Sequence, residues 1–112
     1  MTASHTRTAH ATLVAEIATA AEGVAGVAFL RPGLADRLRA PAAWPAHRPA
    51  GVRVTLPADG GAWHVEIQVV VDGRARALDV ARAVRADVQR HVAVLAPERP
   101  VPRVTVTVTG RV

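Results

Sequence analysis

Between Ala9 and Ala25 apolar residues recur at three- and four-residue steps, so that Leu13, Ile17, Ala20, Ala21 and Val24 share one face. This period predicts an amphipathic helix, with Thr8 or Thr12 placed to cap its start and Gly23 or Gly26 to end it in a left-handed conformation. Glu16 and Glu22 fall toward the wetter side. Val27 to Leu30 reads as a short strand stopped by Arg31-Pro32-Gly33. From Gly51 to Pro57 the pattern changes to strict alternation, Val52, Val54 and Leu56 against Arg53 and Thr55, and Trp63 to Asp72 repeats it. In that second run Val65, Ile67, Val69 and Val71 oppose His64, Glu66, Gln68 and Val70. Asp59-Gly60-Gly61 between the two runs is tight-turn chemistry, and two antiparallel strands follow.

After Asp72-Gly73 the helical period returns over Ala75 to Ala96. Ala77, Val80, Ala81, Val84, Val88, His91, Val92 and Leu95 fall in one arc, with Arg76, Asp79, Arg82, Asp87, Gln89 and Arg90 opposite. Asp79 with Arg82 and Asp87 with Arg90 are spaced for surface ion pairs. Pro97, Pro100 and Pro102 end this helix, and Arg103 to Val112 alternates valine with threonine as a last strand. The order α-β-β-β-α-β predicts an α+β two-layer sandwich: a mainly antiparallel sheet of three to four strands with two amphipathic helices on one face. Residues 1–8 are expected to form a flexible tail and 9–112 a single domain. Within that domain, 34–50 is a loop made variable and extended by Pro41, Pro45 and Pro49, from which Trp44 is expected to dock on the core.

The chain has 112 residues, half of them hydrophobic but only 3% aromatic, so its core must be valine, alanine and leucine. It has no cysteine, which removes disulfides, thiolate metal sites and a thiol nucleophile. All fourteen basic residues are arginine, and the net charge is +5. Such charge raises a nucleic-acid reading, centred on Arg74, Arg76, Arg82, Arg85 and Arg90 around the second helix. Arginine without lysine, beside abundant alanine, is equally the mark of a GC-rich genome at solvated positions. The start, MTASHTRTAH, lacks the apolar segment of a signal peptide, and no apolar run reaches the about 20 residues of a membrane span. A cytoplasmic location is expected.

Catalytic chemistry finds little footing. His5, His10, His47, His64 and His91 have no metal-ligand spacing, and His91 reads as a residue packed at the core edge. Ser4 is the single serine and sits in the tail, and without lysine a phosphate-binding P-loop is excluded. The aspartates are scattered over turns and a solvated helix face. Gly23-Val24-Ala25-Gly26 is formally the G-x-x-G of one class of RNA-binding loop, but it leads into a strand and holds no basic residue. No enzymatic activity, cofactor, metal or small-molecule substrate is expected.

Ile17-Ala18 running into Val24-Ala25-Gly26-Val27, the Gly51 to Val54 strand, a valine-rich strand ending in x-Gly, the Val80, Ala81, Val84, Val88, Val92 helix and a closing Val-x-Val-x-Val strand come in a characteristic order. This order resembles the alkaline shock protein (Gls-twenty-four type) envelope stress response family over about Ala11 to Gly110. The arginine- and alanine-rich composition suits an actinobacterial member. The chain departs from the pattern in lacking an opening G-x-I-x-I strand and in ending its long strand with Asp72-Gly73 rather than Tyr-Gly. The resemblance implies a non-enzymatic scaffold of the envelope stress response that self-associates in the cytoplasm. It further implies recruitment to the inner face of the cell membrane by a membrane-anchored protein of the same family or locus. The alternative is the arginine-driven nucleic-acid-binding domain. The candidate interaction surface comprises Val70, Thr105, Thr107 and Thr109 on an exposed sheet face unusually free of charge, with Arg82 and Arg90 on the second helix.

Overall fold

The structure, a computed structural model, describes residues 2–31 and 51–112, with side chains from His10 onward. The elements are α1 (Thr2–Glu22), β1 (Val27–Leu30), β2 (Val52–Thr55), β3 (His64–Val71), α2 (Ala77–Leu95) and β4 (Arg103–Arg111). The α-β-β-β-α-β order and the α+β class are as the sequence predicts. The loop at 34–50, with Trp44, lies outside the described residues. The first helix begins at Thr2 rather than near Ala9. Its opening residues carry no apolar stripe for periodicity to find, and helix propagation from an established turn costs little per residue.

β3 is the central strand, and its pleat explains the core. Val65, Ile67, Val69 and Val71 point to the helices and are fully buried. They meet Ile17 and Ala21 of α1 and a single row from α2, Val80, Val84, Val88 and Val92, each no more than 4% exposed. Valine serves both layers: branched at Cβ it favours the strands, and at four-residue spacing it makes a narrow ridge for the sheet. α1 packs over β1 and β2, and α2 over β4, so the helices lie side by side on one face. Gly26 takes the left-handed turn after α1 (φ +94°), where a Cβ would lie 2.6 Å from Val80 Cγ2.

Three strands pair with β3, which has two edges. β1 and β2 share one of them end to end, both antiparallel to β3: Leu30 stands opposite Val69, and Val52 opposite Ile67. Gln68 closes the junction, its C=O accepting the Arg31 N–H at 3.2 Å and its N–H donating to the Gly51 C=O at 2.8 Å. β1 and β2 are therefore one strand into which residues 32–51 are inserted. On the other edge β4 runs parallel to β3 along its whole length. The sheet is antiparallel at both β1–β3 and β2–β3 and parallel at β3–β4, because α2 carries the chain back across the sheet between those two strands.

Both neighbours of β3 bulge at the same point. Val27 faces Val71 and Phe29 faces Val70, so Ala28 and Phe29 together oppose Val70 on one side. Val108 faces Val69 and Gly110 faces Val70, so Thr109 and Gly110 oppose it on the other.

Candidate interaction surface

The sheet face turned away from the helices carries Arg53 and Thr55 from β2, His64, Glu66, Gln68 and Val70 from β3, and Arg103, Thr105 and Thr107 from β4. Strand alternation alone puts these side chains together. Arg53 Nε lies 4.0 Å from Glu66 Oε2, and His64 Nε2 is 3.1 Å from Thr105 Oγ1. The first is a cross-strand pair in directly opposed positions, the sheet's equivalent of neighbours on a helix face; the second is a diagonal pair, since Thr105 stands opposite Glu66 and His64 opposite Arg103. The expectation of a face nearly free of charge is thus corrected: the Val-Thr pattern of β4 is uncharged between its end arginines, but β2 and β3 bring both signs of charge beside it.

Thr105 and Thr107 are exposed, as expected, and lie next to each other on this face. Val70 does not belong to the exposed surface. It is 1% exposed, because the Arg31 side chain crosses the face above it to donate from Nη2 to the Thr109 C=O at 3.3 Å. Gly110 completes the enclosure: a Cβ there would lie 3.1 Å from Arg31 Nη2 and 3.8 Å from a Val70 methyl. Thr109 is half-buried in the bulge, with Oγ1 donating to the Val69 C=O at 3.3 Å. Sequence reasoning missed Arg31 and the bulges. Gly110, which breaks an otherwise regular Val-Thr alternation, was the available sign.

Arg82 and Arg90, expected together, lie eight residues and about 80° apart around α2, with Arg90 on the side of α1 and Arg82 on the side of β4. The flank toward α1 is fixed by His91, whose Nε2 is shielded from solvent and lies 3.5 Å from Glu16 Oε2. An open depression of about 480 Å³ on this side is bounded by Thr19, Ala20 and Gly23 of α1 and by Asp87, Arg90, His91 and Val94 of α2. Here Arg90 is ion-paired with Asp87, as its spacing predicts. The flank toward β4 is fixed by Gln89, whose side-chain amide donates to the Pro102 C=O at 3.4 Å. Arg85 and Arg82, four and seven residues before Gln89, share its flank and are exposed. The expected Asp79–Arg82 pair is not formed among the described residues.

Other cations are already engaged. Arg111 Nη1 donates to the carbonyls of Asp72, Gly73 and Ala75, tying the end of β4 to the turn before α2. The Arg99 guanidinium lies 5.5 Å from the centre of the Trp63 ring, whose shielded Nε1 has no partner among the described residues. Among the described residues, no group of three or more His, Asp or Glu side chains is arranged to hold a metal ion, and no helix is long and apolar enough to cross a membrane. The chain matches no family model, no curated protein and no solved structure.

Proposed function

We propose that this chain is a non-enzymatic scaffold of the envelope stress response. It associates with copies of itself through the sheet face opposite the helices and is held at the inner face of the membrane by a membrane-anchored partner. The observation that carries this reading is the arrangement of the sheet among the described residues: two helices pack on one face, while the other carries exposed Thr105 and Thr107 on the same face as Arg53 and Glu66. A patch holding both charge signs next to short, stiff threonines is able to match its own image across a two-fold axis, Arg53 of one copy meeting Glu66 of the other. The family resemblance of the ordered sequence motifs supports the same reading and supplies its setting.

The nucleic-acid alternative draws on the arginines around α2. Their division between two flanks, with Arg90 held by Asp87, favours the scaffold. Cross-linking in intact cells followed by membrane fractionation tests the proposal. It predicts adducts of the chain with itself and with an integral membrane protein. Recovery solely as a soluble monomer, or solely with nucleic acid, overturns it.

A further inference from the structure

β4 has a second edge. Arg103 N–H donates to the Trp63 C=O at 2.8 Å, which turns the main-chain groups of Arg103, Thr105 and Thr107 toward β3 in a parallel ladder. The alternation then turns those of Val104, Val106 and Val108 outward, and no described strand pairs with them. Each of these three valines presents one N–H and one C=O to whatever approaches. The side chains of Val106 and Val108 are half-buried on the helix side of the same edge.

An arginine row overhangs this edge. α2 runs back over β4 with Gln89 above Pro102. Arg85 and Arg82 therefore stand about 6 and 10 Å farther along the helix, or two to three strand residues, which places them over the edge near Val104 and Thr105. Arg103 adds charge at the start of the strand. Arg82, Arg85 and Arg103 make no ion pair among the described residues. A second copy of the chain fits poorly here, because two-fold pairing of β4 with itself sets Arg82 and Arg85 against their own images.

We propose that the outer edge of β4 takes an extended, acidic segment of another protein as an added strand, with carboxylates at alternate positions reaching Arg82 and Arg85. The free peptide groups select a polypeptide backbone, and the arginines select its charge. This rests on the scaffold reading and assigns the partner-binding site within it. A nucleic acid satisfies the arginines but leaves the three outward N–H and three outward C=O groups unused.

The test uses the full chain and a labelled nonapeptide alternating glutamate with valine, beside a lysine–valine peptide and a single-stranded oligonucleotide. Expected are saturable binding of the glutamate peptide and slowed amide exchange at Val104, Val106 and Val108. Arg82→Glu with Arg85→Glu should weaken binding about tenfold or more, and the lysine peptide should bind that double variant better than it binds the wild type. Val106→Pro should abolish binding while keeping the fold, since its N–H faces outward. Unchanged exchange at the three valines, equal binding of both peptides, or tighter binding of the oligonucleotide overturns the proposal. These outcomes concern the edge alone; self-association through the far face is read separately, by the mass of the unliganded chain.

Discussion

Gly51 and Arg31 lie side by side although twenty positions separate them in the chain, and together they supply one residue's worth of pairing to Gln68. Arg31 gives the N–H and Gly51 the C=O. A Cβ on Gly51 would stand 2.9 Å from Arg31 N and 3.1 Å from Gln68 O, and Gly51 has φ +86°. Gly51→Ala should therefore cost about 2–3 kcal/mol, from a strained backbone plus a close contact that neither neighbour can relieve. Gly60→Ala, at φ +79° with open space around it, should cost about 1 kcal/mol. Urea unfolding of the two variants measures the difference, and equal losses would show that the contact is unimportant.

The same junction predicts a deletion. Joining Arg31 directly to Val52 keeps Leu30 opposite Val69, Arg31 opposite Gln68 and Val52 opposite Ile67, with Leu30, Val52 and Val54 still on the helix face. A chain lacking residues 32–51 should fold with cooperative unfolding and a stability within about 2 kcal/mol of the full chain, since a long loop adds little closure cost per residue. Circular dichroism and thermal melting check it. Loss of the cooperative transition would mean that β1 and β2 are not one interrupted strand.

α2 starts without a side-chain cap. Arg76 occupies the cap position at φ −82°, ψ 118°, an extended conformation suited to a capping residue, yet its side chain accepts nothing from the first turn. Arg76→Ser should stabilise the chain by about 0.5–1.5 kcal/mol by satisfying an orphan N–H and removing a cation from the positive end of the helix dipole. Denaturant midpoints compare the two proteins at equal slope. A fall in midpoint would place an unrecognised contact on Arg76.

Local pattern made most of the fold legible. The four-residue spacing of Val80, Val84, Val88 and Val92 and the two-residue alternation through β3 each state which side is buried, and the structure places them so. Relations between distant segments were less accessible. Neither Val27–Leu30 nor Val52–Thr55 signals that they share an edge, because the pairing is set by β3 and not by the chain between them. The direction of β4 is invisible in its Val-Thr alternation, although a helix between two strands is the usual companion of parallel pairing. Val70 misled because alternation assigns it to a face but says nothing of Arg31, which arrives from another strand to cover it.

Of the candidate surface, Thr105 and Thr107 were readable from one strand, whereas the adjacent Arg53 and Glu66 required the register between β2 and β3. Arg82 and Arg90 were separated by information the sequence lacks, namely which flank of α2 meets α1 and which meets β4.

Self-association through the sheet face is the central claim, and light scattering of the purified chain over a wide concentration range tests it most directly. The account predicts a mass that rises above the 11.7 kDa of one chain as concentration increases, and that returns to it in the Thr105→Arg, Thr107→Arg double variant without loss of thermal stability. A mass of 11.7 kDa at every concentration for the wild-type chain, or an oligomer indifferent to both substitutions, would contradict it.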